Sequence, residues 1–92
     1  MPSYRTILTV GLMKSGYDPR DVEAEARSVT RLDSFDIGIV SGHPRVMVRF
    51  TAVDDGEAQK VHQRVVRSVS EVVEVLRVEL ARIVRGRDQI LG

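Results

Sequence analysis

Cysteine and tryptophan are absent from the 92-residue chain, and Tyr4, Tyr17, Phe35 and Phe50 are its only aromatic side chains. Without cysteine there is no disulfide framework and no thiolate metal site, which fits a reducing, cytoplasmic setting. Histidine occurs only as His43 and His62, and no His-x-x-x-His spacing is present. No metal site and no cofactor motif is therefore written into the chain. Lysine is nearly missing as well: Lys14 and Lys60 are the only two, and every other basic side chain is arginine. A net charge of +1 provides no field that would draw in nucleic acid. Long apolar runs are absent too, and none approaches the ~18–20 residues of a membrane span. The first ten residues carry Arg5 and only the short apolar stretch Ile7 to Val10, unlike a secretion signal. A cytoplasmic protein without membrane association is the expectation.

What is present is ordinary for a soluble domain, with 42% apolar and 29% charged residues. The length fits a single domain over residues 1–92. A chain this short buries only about 60–65% of its unfolded surface, so self-association would be a natural supplement to its core.

Hydrophobic periodicity orders the chain. Tyr4 to Met13 alternates with period 2, placing Tyr4, Thr6, Leu8, Val10 and Leu12 on one face of a strand. Asp18-Pro19 then signals a helix start, with Asp as N-cap and Pro at the first helical position. Val22, Ala26, Val29 and Leu32 form its apolar stripe, and Asp33-Ser34 ends it. Two further alternating runs, Phe35 to Val40 and Val46 to Thr51, are joined by Ser41-Gly42-His43-Pro44 and read as a hairpin with a four-residue loop. Asp54 and Glu57 have capping-box spacing and open a second helix, whose buried face is Ala58, Val61, Val65 and Val69.

The end of that second helix admits two readings. No Gly, Pro or Asn interrupts residues 57 to 85, which favours one helix to Arg85. Against it stand Val65, Val66, Val69, Val72, Val73, Val75 and Val78, β-branched residues at ease in a strand. A single helix would also span over ~40 Å and project beyond the sheet. A helix ending near Glu71, followed by a strand over 73–84 antiparallel to residues 4–13, closes a compact domain instead. The predicted fold is then α+β: a ferredoxin-like βαββαβ unit with a four-stranded antiparallel sheet in the order 4-1-3-2 and both helices on one face. Leu76, Val78 and Leu80 should face the helices. The open face should carry Ile7, Val40, Met47 and Val75, an apolar patch that a homodimer would cover.

Little in the chain points to catalysis, and no catalytic residue is assigned. Asp54-Asp55 is explained by helix capping, and the serines lack a nucleophile elbow. His62 reads as an exposed or partly buried helix residue. Arg82, Arg85, Gly86 and Arg87 read as a solvated basic tail without aromatics for base stacking, so nucleic acid is not an expected partner. The constructive hint is topological. In a βαββαβ fold the end of the first strand meets the hairpin tip, bringing Lys14 and Ser15 toward Ser41, His43 and Arg45 beside the start of the first helix. Cations, hydroxyls and helix-end N–H groups suit a small anionic ligand, although Asp18 and Asp21 already occupy that helix end.

In element order the chain resembles small regulatory modules such as the ACT domains. Through Tyr17-Asp18-Pro19 at the first helix it also resembles the small subunit of the formylglycinamide ribonucleotide amidotransferase complex. Gly42-His43-Pro44-Arg45 stands where that family carries Gly-Lys, and Arg20 follows Pro19 where ACT domains have Pro-Gly after the first strand. A complete small fold without a reactive constellation leads to the expectation of a non-enzymatic binding or regulatory module, acting as a homodimer or as a small subunit of a larger assembly. The alternative is a small enzyme that uses His43 and the loop cations on an anionic metabolite.

Overall fold

Aspartates set both helix starts. In the computed structural model, which describes residues 1–92, Asp18 caps α1 (Pro19–Val29) by accepting the Arg20 N–H at 2.8 Å. The Asp21 carboxylate closes the box by accepting the Asp18 N–H at 2.8 Å. Asp54 caps α2 (Asp55–Ser70) through the Glu57 N–H at 2.8 Å, while Glu57 reaches one residue further back, to the Val53 N–H. Around these helices run β1 (Ser3–Met13), β2 (Ser34–Val40), β3 (His43–Thr51), β4 (Val73–Val84) and β5 (Arg87–Ile90). The chain is α+β, with two helices and a five-stranded antiparallel sheet in the order β2-β3-β1-β4-β5. No helix is long and apolar enough to cross a membrane.

The strand reading of residues 73–84 holds, and α2 stops at Ser70 with Glu71 as its C-cap. The four-strand expectation does not hold. Arg85 and Gly86, with φ of 52° and 76°, make a two-residue turn that folds Arg87–Ile90 back on Ala81–Val84. The supposed basic tail is thus a hairpin, anchored by the Arg5–Asp88 ion pair and by Leu91, which packs against the core. Ser41 and Gly42 repeat the same geometry at 52° and 79°. The β2–β3 turn is therefore two residues long, not four, and His43 and Pro44 belong to β3. The missing N–H of Pro44 breaks no ladder bond to β1, because β1 pairs with β3 only as far as Thr9 and Arg45.

A second correction concerns parity. From Leu8–Val78 and Thr9–Arg77 the β1–β4 register jumps to Val10–Val75 and then Met13–Val73. One strand and then the other bulges, which flips side chains between faces. Leu12 is consequently 81% exposed, while Met13 packs on the core. Val75 joins the helix-side core instead of the open face, and Leu76 is exposed. Val78, paired with Leu8 before the bulge, stays on the helix side as expected, although partly open to solvent. Gly11 lies within the bulge, where an added Cβ would collide with the Glu74 carboxylate.

The core lies between the sheet and both helices: Tyr4, Leu8 and Val10 from β1 meet Val22 and Ala26 of α1 and Val61, Val65 and Val69 of α2. Tyr4 stacks on Phe50 at 5.8 Å and donates to Asp55 Oδ1 at 2.7 Å, with Arg82 on the same oxygen at 3.3 Å. Burial, helped by that acceptor, pushes the Tyr4 hydroxyl up to about 12. His62 is buried, not exposed, and its Nδ1 lies 3.0 Å from Thr6 Oγ1.

The open face is less apolar than its sequence suggested. Met47 and Ile7 are cross-strand neighbours, in a row bounded by Asp36 and Glu79. The flanking rows set Arg49 beside Arg5, and Arg45 and Arg77 on either side of Thr9. Ile7 is buried here, and long arginine stems on both sides can cover such a position.

Two tests follow. Arginine is strained at a left-handed position that asparagine tolerates, so Arg85→Asn should raise unfolding stability by about 0.5–1 kcal/mol in urea titrations at unchanged slope. Burial lowers the His62 pKa below the usual value of about 6.5. The unfolded chain therefore takes up a proton that the folded chain refuses. Stability is full above about pH 6.5 and falls as pH drops through the lower folded value. His62→Gln should flatten the melting temperature between about pH 7.5 and 5.5, at a lower plateau. The carboxylate of Asp18, held low by the Arg20 side chain, acts only in a more acidic window.

Candidate functional site

The five residues expected to gather around an anion share one end of the molecule, since the end of β1 and the β2–β3 turn both lie there. They do not converge. The Lys14 N–H donates to the Val72 carbonyl at 2.9 Å, which ties the loop after β1 toward β4 and away from the hairpin. Lys14 and Ser15 are exposed in that loop, Ser41 sits in the tight turn, and His43 and Arg45 stand on β3. No side-chain hydrogen bond or ion pair joins any two of them. Between them lies an apolar groove of about 270 Å³, lined by Val10, Met13, Pro19, Ile37, Ile39 and Pro44 among others, and none of the five residues lines it. The start of α1 is also taken, because Asp18 and Asp21 already use the donors there.

A different cluster is built at the opposite end. There the end of α1, the end of β3 and α2 from Glu57 to Arg67 border an open depression of about 570 Å³ that contains Lys60, Arg64, Arg67, Thr30, Thr51 and Glu57. The three cations recur at i, i+4 and i+7 on α2, so the helix stacks them on one face over a rise of about 10 Å. Antiparallel packing of α1 against α2, marked by Ser68 and Glu25 in contact, delivers Thr30 beside them. Thr51 arrives from the last position of β3.

What sets this cluster apart is that three cations without an ion-pair partner face one depression. Arg5, Arg20, Arg27, Arg77 and Arg82 each have a carboxylate within ion-pair distance. Lys60, Arg64 and Arg67 have none. Glu57, the one acid in the depression, has Oε1 occupied by the Val53 N–H at 3.1 Å. A single cation would be enough to complement the carbonyl end of α1. Three like charges at helical spacing repel one another, so the arrangement gains when an anion enters. The polar set offers mainly donors: guanidinium forks, an ammonium, two hydroxyls and the Gln63 amide. Its chemistry is that of anion recognition, not of proton transfer.

Sequence reasoning passed over these residues because exposed arginines on an amphipathic helix read as solvation. The signal was the spacing Lys60-x-x-x-Arg64-x-x-Arg67, and the contributions of Thr30 and Thr51 depend on tertiary packing. His62 lies two residues before Arg64, about 200° around α2, and points into the core, toward Thr6. No group of three or more His, Asp or Glu side chains gathers to hold a metal ion. Comparison with family descriptions, curated proteins and solved structures found no match to this chain.

Proposed function

We propose that this protein is a small non-enzymatic binding module of ferredoxin-like architecture. It acts in the cytoplasm as a homodimer or accessory subunit, and it takes a small, multiply charged anion in the depression on α2. The observation that carries this reading is the set of three unpaired cations, Lys60, Arg64 and Arg67, facing one polar depression with the Thr30 and Thr51 hydroxyls. Two guanidinium forks and an ammonium spread over about 10 Å suit a ligand with at least two anionic groups, such as a di- or triphosphate, better than a single carboxylate. The volume, about 570 Å³, is that of a metabolite site. The ferredoxin-like reading rests on the βαββαβ order of the first six elements, with β5 as an added edge. The alternative, an anionic substrate handled at Lys14, Ser15, Ser41, His43 and Arg45, has no comparable convergence of side chains behind it.

Calorimetric titration with pyrophosphate and triphosphate separates the two sites. Arg64 is exposed, so Arg64→Glu should leave the melting curve intact while weakening binding by about tenfold or more. His43→Ala should leave binding unchanged. Affinity should also fall as salt rises. Binding that survives Arg64→Glu and is lost in His43→Ala would move the site to the hairpin end.

A further inference from the structure

We infer that two copies of this chain join through β2, antiparallel and edge to edge, with Ile37 on the two-fold axis. The inference rests on the homodimer part of the proposed function and gives it a surface. β2 is an edge strand of seven residues, Ser34–Val40, without proline, lysine or bulge to guard it. The opposite edge is blunted: β5 has only four residues, and the uncovered part of β4 is broken at Leu76.

Turn geometry decides which β2 groups face outward. A two-residue turn with both residues at positive φ closes on a hydrogen-bonded pair, here Val40 with His43. Bonding then alternates along the strand. Gly38 and Asp36 bond to β3, while Phe35, Ile37 and Ile39 turn their N–H and C=O groups outward. Their side chains share the helix side of the sheet with Val46 and Val48, their partners on β3. Ile37 and Ile39 are 51% and 68% exposed there, a large apolar exposure for an edge that also offers free backbone groups.

Charge selects the register. Centring the pair on Asp36 would oppose two aspartates. Centring it on Ile37 overlaps the full strand, sets Ile39 against the partner's Phe35, and forms about six backbone hydrogen bonds. On the open face the same register puts Asp36 beside the partner's Gly38. Gly38 pairs with Arg45 in its own chain, so the partner's Arg45 is the next residue along that row. Only the side-chain-free glycine lies between them. Two strand spacings, about 9–10 Å between Cα atoms, are a span that an arginine and an aspartate bridge together. Neither Asp36 nor Arg45 has an ion-pair partner within its own chain. The two-fold axis makes this pair twice.

Sedimentation velocity on the full chain tests the inference, and the unmodified protein should run as a dimer well above micromolar concentration. Asp36→Arg should weaken the dimer by about tenfold or more, and combining it with Arg45→Asp should restore it. Ile37→Pro removes an outward N–H that β3 does not use, so it should give a monomer with an unchanged circular dichroism spectrum. If the dimer resists both Asp36→Arg and Ile37→Pro, or the double variant fails to restore it, the β2 interface is wrong while the homodimer stands. A monomeric unmodified chain would overturn both.

Discussion

Everything in this structure is hung on β1, the central strand of the five. Its partners are β3 from Ser3 to Thr9 and β4 from Ser3 to Met13. Because side chains alternate along it, its pairing determines what each face of the sheet carries. Tyr4, Thr6, Leu8 and Val10 face the helices, and Arg5, Ile7 and Thr9 face away. The alternation survives only to Val10. Beyond it the bulges reset the parity, Met13 turns inward and Leu12 outward, and the strand bends toward β4. That bend separates Lys14 and Ser15 from the hairpin and leaves an apolar groove where a polar site had been expected.

The same strand positions α2 through polar contacts within an apolar core. Tyr4 reaches Asp55 at the first turn of the helix, and Thr6 reaches His62 two turns later. Hydrogen bonds in such surroundings contribute about 1 kcal/mol each, but an unmatched partner costs more, so they fix the axial position of the helix as well as stabilising it. No buried side-chain N or O is left without a partner. With α2 held at that height and rotation, Val61, Val65 and Val69 pack inward, and Lys60, Arg64 and Arg67 are carried to the rim beside the end of α1.

Elements with local signatures were legible in the sequence, and features made by pairing were not. Asp18-Pro19 and Asp54 announced both helices, and alternation announced β1, β2 and β3. The β-branched run from Val72 to Val78, together with compactness, was enough to place β4. The fifth strand was hidden because arginine is not a turn residue by preference. Arg85 adopts a positive φ only because the Gly after it and the pairing around it hold it there. The bulges were hidden for a similar reason: nothing near Leu76 or Leu12 marks which strand carries the extra residue. Part of the α2 site was readable in its basic spacing, but Thr30 and Thr51 are distant in sequence and meet it only through the packing of α1 on α2.

A net charge of +1 conveys little about such a molecule, because what matters is which charges remain unpaired. Five arginines are absorbed by neighbouring carboxylates at their own positions in the fold. The remainder is not scattered evenly. One group of cations collects on α2 around a depression with hydroxyl donors, and one opposite-sign pair, Asp36 and Arg45, is held apart on the β2–β3 hairpin by the geometry of its own sheet. Charges that a fold leaves unsatisfied are costly to keep desolvated and cheap to keep in water, so at the surface they persist without penalty until a complementary group arrives. The two groups differ in what could complement them. The α2 cluster is of one sign and needs an external anion, whereas Asp36 and Arg45 carry both signs in a geometry that a two-fold axis makes self-complementary. The proposed ligand site and the proposed dimer edge therefore occupy separate surfaces of this domain, one built by helix spacing and the other by strand register.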